Sequence, residues 1–268
     1  MKSYLHYLKL RIITNIQYRA AALAGISTQV FFGLMYIMFY IALFESNIGT
    51  SSPMSLEHVI TYTWLGQAFF ALRLPVSKDK ELLSMIKDGN LAYEIVRPQN
   101  FYIKFFVKMY ANRLVTVLLR FFPIIVLGIL LPKPYNLGAP SSLSAFILFL
   151  ILLLLTSILI TALDLVVHLI TMFLLDSRGV FSFYSVICET FQGGVVPLPF
   201  LPSYLRIFAY ILPFRFLSDF PYRIYMGDIS VSRGISLLYI NILWIIAIII
   251  IGYHVSKIAL KKAVIQGG

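Results

Sequence analysis

SKDKELLSMIKDGNLAYEIVRPQNFYIKFFVKMYANR, residues Ser77–Arg113, is the longest polar interruption in a chain of which 60% is hydrophobic. It carries seven basic residues and four acidic ones. Lys and Arg accumulate on the cytoplasmic side of membrane proteins, because carrying their charges across the bilayer is unfavourable. The stretch therefore predicts a cytoplasmic loop, residues 76–113, between two membrane spans.

A short amphipathic helix is predicted inside this loop. Leu82, Leu83 and Ile86 have helical spacing beside charged residues, and Gly89 is a typical residue for the end of a helix. The helix has two interpretations. It is either part of an interfacial loop that only connects two spans and contacts lipid headgroups, or a docking surface for a soluble partner.

Composition identifies the protein class. The chain has 268 residues, of which only 12% are charged, and a mean hydropathy of +0.88. A soluble protein of this size needs more polar surface, so we predict an all-α integral membrane protein. The net charge of +11 is carried by residues that flank apolar runs, where anionic lipid headgroups are the expected neighbours, and no nucleic acid is expected. A single cysteine, Cys188, excludes an internal disulfide and a cysteine metal site, and no metal site is predicted.

Apolar runs of about 20 residues suffice to cross the hydrocarbon core. We predict one transmembrane domain over residues 1–268 with six spans. Their ranges are 20–44, 58–75, 114–131, 143–168, 180–195 and 237–256. Residues 1–19 predict either an amphipathic helix that lies in the inner interface or an extension of the first span.

Residues 189–216 interrupt an otherwise apolar run with glycines and prolines. Only ten residues separate Pro202 from Pro213, which is too short for a crossing. A re-entrant hairpin or broken helix on the outer side fits better, and Glu189 is predicted to cap its broken backbone rather than to carry protons. If Leu198–Phe214 is counted as a seventh span, almost the same number of Lys and Arg residues lies on the cytoplasmic side. The charge distribution therefore does not decide between six and seven spans, and the choice of six rests on the proline spacing.

Two polar residues in the fourth span, Asp164 and His168, are four positions apart and so share one helix face. A carboxylate inside the membrane is a functional-site candidate by default. It is structural if it lies at the inner boundary and pairs with Arg178, Arg113 or His168. The run before Asp164 is already long enough to cross the core, which favours the structural role.

Four motifs carry a resemblance to a known family: GNLAYEIVRP at residues 89–98, GGVVPLPFLP at 193–202, LPF at 212–214 and PYRIYMG at 221–227. With them the chain resembles the membrane subunit of a type 2 ABC exporter, in the branch that has two short permeases beside one ATPase. The resemblance implies six spans in the cell membrane with both termini in the cytosol. It also implies an N-terminal helix and a coupling helix that contact a nucleotide-binding ATPase subunit.

Matched position by position, the resemblance implies functional residues at both ends of the bundle. The implied ATPase-coupling residues are Lys78, Asp79, Lys80, Glu81, Leu82, Leu83, Ile86, Lys87, Asp88, Gly89 and Arg97. The implied outer gate comprises Glu189, Gly193, Gly194, Pro197, Pro199 and Pro202. ATP and Mg²⁺ would belong to the ATPase, and this chain has no GxxxxGK[ST] phosphate loop, so it is predicted to hold no cofactor and to be no enzyme. A second permease, the same chain or a related one, would complete the path.

Two other functions remain open. An ion-coupled secondary transporter requires intramembrane charge and paired broken helices from an internal repeat, and only one broken segment is present. A membrane-embedded enzyme could use Asp164, His168 and Glu189, but the sequence has no HExxH or GxSxG motif. The substrate is not specified by any of these patterns.

Overall fold

A computed structural model describes residues 2–16, 19–46, 52–74, 79–87, 94, 99–174 and 177–266. In these ranges the chain is helical and has no strand, which confirms the all-α class. The α-helices are α1 (Lys2–Ile16), α2 (Arg19–Glu45), α3 (Leu56–Ala68), α4 (Phe70–Arg73), α5 (Lys80–Lys87), α6 (Phe101–Leu130), α7 (Leu143–Ile170), α8 (Ser177–Phe191), α9 (Ser203–Ile211), α10 (Asp219–Met226) and α11 (Val231–Gln266).

Four of the described helices are long and apolar enough to cross a membrane. They are Ala24–Glu45 of α2, all of α6, all of α7, and Val231–Lys261 of α11. The predicted spans 58–75 and 180–195 correspond to α3 with α4 and to α8. These helices are shorter, with 13, 4 and 15 residues, so the count of six spans stays a prediction.

Helix α3 lies inside the bundle rather than against lipid. Every residue from Val59 to Ala68 is buried. Trp64 is fully buried, and its indole N–H donates to the Tyr135 carbonyl at 2.7 Å. The ring also packs against Gly33 and Gly128, where a Cβ would crowd it. Small residues thus let α2 and α6 approach α3 closely.

Helix α6 begins earlier than the sequence indicated. The prediction assigned Phe101–Arg113 to the loop 76–113, but these residues form the first turns of α6, and Asn100 caps them by accepting the Ile103 N–H at 3.1 Å. The charges that suggested a loop are buried in the helix. They are tolerated there because Lys104, Lys108 and Arg113 each pair with an acidic side chain.

The helices define two ends of the bundle. The basic end contains α1, α5, the start of α6 and the ends of α7 and α11. The hairpin end contains the segment 192–230, the start of α7 and the start of α11. Helices α6 and α7 run in opposite directions between these ends, and α7 packs along α11.

Prolines and glycines divide the hairpin end into short helical pieces. Pro197 precedes a 3₁₀ turn (Leu198–Phe200), Pro202 precedes α9, and Pro213 opens a second 3₁₀ turn (Pro213–Leu217). Proline is suited to these positions because its φ is fixed and it lacks an N–H. Gly193 and Gly227 adopt left-handed conformations with φ of 75° and 80°. The broken segment predicted at 189–216 is therefore present as a series of short helices.

We expect replacement of Gly193 by Ala to destabilise the hairpin end. The left-handed backbone strains any other residue, and a Cβ would lie 2.6 Å from the Tyr62 hydroxyl. The expected loss is about 1–3 kcal/mol. Gly66→Ala is the matched control, because no neighbouring atom lies within 4 Å of its Cβ position and α3 should gain about 0.5–1 kcal/mol. Thermal unfolding in detergent measures both, and equal melting temperatures would contradict the expectation.

Candidate coupling site and polar cavity

Helix α5 is attached to the bundle through Asp79. The Asp79 carboxylate caps α5 by accepting the Leu82 N–H at 2.9 Å, and it also accepts from Lys108 Nζ of α6 at 2.8 Å. The Asp79 N–H donates to His168 Nε2 of α7 at 3.0 Å. One buried residue thus connects α5 to two of the long helices.

The two faces of α5 differ as the sequence predicted. Leu82 is completely buried, and Leu83 and Ile86 are half-buried. Lys80, Glu81 and Ser84 are exposed. Leu82 inserts among the following side chains of α6 and α7: Phe101, Tyr102, Phe105, Met109, Leu165 and Leu169. The amphipathic helix is present, with its apolar face in the core and its polar face exposed.

Part of the predicted coupling segment falls outside the residues that the structure describes. Lys78, Asp88, Gly89 and Arg97 lie outside the described residues, and of Lys87 only the backbone in α5 is described. The coupling segment is therefore assessed from Asp79 to Ile86.

Glu81 joins α5 to α1. Its carboxylate lies 2.5 Å from Lys108 Nζ and 3.4 Å from Arg11 Nη2. Partial burial acts to raise the pKa of Glu81, but the hydrogen bond and charge of Lys108, followed by the charge of Arg11, outweigh burial and lower it. Helix α1 also contacts α6 where the Asn100 N–H donates to the Tyr4 hydroxyl at 2.9 Å. The N-terminal helix is thus part of the same polar cluster.

Arg113 occupies the junction of α4, α6 and α7. Its Nη1 donates to the carbonyls of Ala71, Leu72 and Leu74 at 3.1, 2.8 and 3.1 Å, which satisfies the free end of α4. Its Nη2 forms a buried ion pair with Asp164. Of the partners that the sequence left open for Asp164, the structure therefore selects Arg113, which supports the structural role.

The His168 ring connects Asp164 to Asp79 through two hydrogen bonds. Its Nδ1 lies 2.6 Å from the Asp164 carbonyl, and its Nε2 accepts from the Asp79 N–H. Both ring nitrogens are engaged, which requires the neutral tautomer with hydrogen on Nδ1. In the part of the chain that the structure describes, no group of three or more His, Cys, Asp or Glu side chains could hold a metal ion.

Asp219 anchors the hairpin end, a role that the sequence analysis did not predict. The side chain is buried, and it accepts the Leu198 N–H at 3.1 Å and pairs with Arg223 at 3.4 Å. Its own N–H donates to the Gln192 carbonyl at 3.1 Å. An acidic residue at the start of α10 is a sequence signal for a helix N-terminus, but it gives no indication of burial.

The predicted outer-gate glycines and prolines all lie in the segment 192–230 at the hairpin end, whereas Glu189 lies on α8 and differs from its predicted role. The Gly193 carbonyl accepts from the buried Tyr62 hydroxyl at 2.6 Å, and Gly194 packs directly against the Arg73 guanidinium. Pro197 is buried, Pro199 is half-buried and Pro202 is exposed. Glu189 does not cap the broken backbone, since it is exposed on α8 and makes no hydrogen bond to the hairpin among the described residues. The expectation for Glu189 is corrected because Asp219 already satisfies this backbone.

A polar cavity of about 370 Å³ opens between α2, α3, α4, α6 and α8. Amide and charged side chains contribute to its wall: Gln29, Gln67, Arg73, Arg120 and Glu189. Gln29 is only 5% exposed, and neither of its amide atoms has a hydrogen-bond partner in the described part of the chain. Buried amides normally find partners, so this wall suits water or a polar ligand group.

Two arginines of the cavity are held in different ways. Arg73 is 4% exposed, stacks on the Phe70 ring with its guanidinium 4.8 Å from the ring centroid, and donates to the Gly66 carbonyl at 3.3 Å. Arg120 lies over Gly25 of α2, where a Cβ would come within 2.6 Å of the guanidinium carbon. Arg120 thus contributes to the cavity wall from α6.

Comparison with protein-family models places the chain in a family. The family model described as "ABC-2 family transporter protein" matches residues 30–267, which include α3 to α11 completely and most of α2. No curated protein matches the chain significantly.

We expect Asp164→Ala to leave the Arg113 charge buried without its acidic partner. The expected cost is about 3–5 kcal/mol of stability. The matched control is Asp228→Ala, which removes an acid whose ion pair with Arg223 is partly exposed and should cost about 1 kcal/mol or less. Thermal unfolding in detergent compares the two variants. Equal destabilisation would show that the Arg113 pair does not hold the bundle together.

We also expect Asp219 to make the stability depend on pH. Burial raises the pKa of Asp219 to about 6 even with Arg223 beside it. An acid with a raised pKa in the folded state favours folding when it is protonated. That contribution is complete below the ordinary value of 3.8 and is lost as the pH rises through about 6. The melting temperature of the wild type should therefore rise from pH 7 to pH 5 relative to Asp219→Asn. Parallel curves for the two proteins would contradict this.

Proposed function

Because the chain belongs to the ABC-2 transporter family, whose members are membrane permease components of ABC transporters, we propose that it is the permease subunit of an ATP-driven exporter. A separate ATPase subunit docks on α5 and supplies the hydrolysis. The chain forms the translocation path together with a second permease. The single observation that supports this most strongly is the attachment of α5 to α6 and α7.

The attachment makes α5 suitable as a lever. Asp79, which caps α5, ties its first turn to Lys108 and His168, and Leu82 in the same turn is buried in the core. A push on the exposed face is therefore transmitted to α6 and α7 instead of being absorbed by a loop. Such coupling works only if the ATP-bound partner favours one membrane conformation over the other, because a ligand that binds both equally shifts nothing.

The orientation follows from the distribution of charge. Helices α1 and α5 and the end of α11 share the basic end, and basic residues favour the cytosolic side. We therefore assign the basic end and both termini to the cytosol and the hairpin end to the outside of the cell membrane. In this assignment, α3 together with α4 forms one further span and α8 forms another, which gives six spans in total.

The polar cavity and the hairpin end form the proposed path. Gln29, Arg73 and Glu189 line the cavity together with Val195 of the hairpin end, and Gly194 packs against Arg73. Movement of the segment anchored by Asp219 opens the cavity to the outside. On α2, adjacent to the cavity, an apolar face is exposed and is assigned to the second permease or to lipid: Phe31, Met35, Met38 and Phe39.

The structural findings weaken both alternatives. A secondary transporter needs a titratable intramembrane group that can change partners, but Asp164 is bound to Arg113, which also holds three backbone carbonyls. A membrane-embedded enzyme that used His168 would lack a free ring nitrogen. Neither alternative explains why α5 presents an exposed face at the basic end.

We expect Ser84→Pro to uncouple the permease from its ATPase. Proline in the middle of α5 removes a backbone hydrogen bond and costs about 3 kcal/mol or more, which disorders the proposed docking helix. Leu143→Pro is the matched control, because Leu143 is the exposed first residue of α7 at the opposite end of the bundle, where proline is tolerated. The measurement is ATPase co-purified with the tagged chain from its native membrane, with its activity and the amount of inserted permease.

Wild type and Leu143→Pro should retain the ATPase, and Ser84→Pro should lose most of it at an unchanged amount of inserted permease. Full ATPase recovery with Ser84→Pro would exclude α5 as the docking element. Repeated isolation of the wild-type chain without any ATPase would overturn the exporter proposal itself.

A further inference from the structure

A second cavity, of about 510 Å³, lies at the hairpin end between α9, the second 3₁₀ turn, α10 and the start of α11. Its charged lining consists of three arginines and two aspartates: Arg215, Arg223, Arg233, Asp219 and Asp228. We call it the arginine cavity. The arginine cavity and the polar cavity described above have no lining residue in common.

Both aspartates of the arginine cavity form ion pairs with the same arginine, Arg223. Arg223 pairs with Asp219 and with Asp228, and it also donates to the Tyr210 hydroxyl at 3.3 Å. Among the described residues, no ion pair joins Arg215 or Arg233 to an acidic side chain. The arginine cavity therefore has a net positive charge that its own side chains do not balance.

Arg215 is held in place without an acidic partner. Its guanidinium lies 5.6 Å from the centroid of the Tyr210 ring and 4.7 Å from that of the Phe216 ring. The Nε atom is buried and has no hydrogen-bond acceptor among the described residues. A guanidinium fixed between two rings presents its donors in a defined geometry, which suits the oxygens of a phosphate.

Helix α11 adds to the positive potential. Ile229 and Ser230, which directly precede its first residue Val231, line the arginine cavity. The N-terminus of a long helix carries partial positive charge and unpaired N–H groups, and both favour an anion. The helix end and the two unbalanced arginines thus act in the same direction.

The surroundings of the arginine cavity are apolar. It lies at the end of the candidate span Val231–Lys261, which is the level of lipid headgroups if that span crosses the membrane. Helix α9 contributes Tyr210 to the cavity and exposes an apolar face beside it, whose side chains are each more than half exposed: Tyr204, Ile207, Phe208 and Ile211. A charged site next to an exposed apolar helix face matches an amphiphile.

We propose that the arginine cavity binds the phosphate of an anionic amphiphile, whose apolar chain lies along α9. Arg215 and Arg233 bind the phosphate oxygens, and Arg223 with its two aspartates forms the fixed wall behind them. Such a phosphate has two sources: a phospholipid of the bilayer leaflet at the hairpin end, or a phosphate-bearing cargo. The site does not depend on the docking of an ATPase, so it is tested on the permease alone.

The test measures binding of fluorescent probes to the purified full chain in a neutral detergent. One arm compares phosphatidylglycerol with phosphatidylcholine of the same chains, and the other compares dodecyl phosphate with dodecanol. The variants are Arg233→Gln, which changes an exposed side chain and leaves the fold intact, and Arg215→Gln. Lys133→Gln is the matched control, because Lys133 is an exposed cation of the segment between α6 and α7, which also lies at the hairpin end but outside the cavity.

We expect the phosphate probes to bind more tightly than their neutral analogues. Each arginine variant should lose about tenfold in affinity for the phosphate probe, and Lys133→Gln should bind like the wild type. Arg215→Lys should recover only part of the affinity, because it restores the charge but not the planar fork.

The two arms separate the sources. Arginine-dependent binding of phosphatidylglycerol assigns the site to bilayer lipid, whereas arginine-dependent binding of dodecyl phosphate alone assigns it to a single-chain cargo. If neither phosphate probe exceeds its neutral analogue, or if Arg233→Gln and Lys133→Gln behave alike, the proposal is overturned.

Discussion

The buried ion pair between Arg113 and Asp164 is the constraint on which the rest of the bundle depends. A guanidinium inside an apolar bundle is tolerated only when its donors are satisfied, and Arg113 uses Asp164 and three carbonyls at the end of α4. This pair fixes α4, α6 and α7 relative to one another. One turn further along α7, His168 receives the Asp79 N–H, so the position of α5 depends on the same face of α7.

The sequence predicted the elements whose signal is local. Apolar length located α2, α7 and α11, the spacing of Leu82 from its charged neighbours located α5, and the prolines located the breaks of the hairpin. It failed at the start of α6. Lys104 and Lys108 read as residues of a loop, because their partners Glu94 and Asp79 are brought to them only by the fold.

The residues missed at the two cavities were missed for the same reason: their partners are brought to them only by the fold. Gln29 is a single polar residue in a long apolar run, and it meets Arg73 and Glu189 only when α2, α4 and α8 pack together. Asp219 carries a helix-start signal that says nothing about its burial or its bond to Leu198. Sites made by one residue from each of several helices have no spacing that a sequence pattern can reveal.

The two ends of the bundle differ in how they balance charge, and this difference argues for different tasks. At the basic end, Lys104, Lys108 and Arg113 are each neutralised by an acid, and the resulting joints are rigid enough to transmit a displacement of α5. At the hairpin end, Arg223 takes both aspartates and leaves Arg215 and Arg233 for another anion. Since an unbalanced guanidinium near apolar surface is costly without a partner, its persistence there is best explained by a ligand that supplies the missing charge.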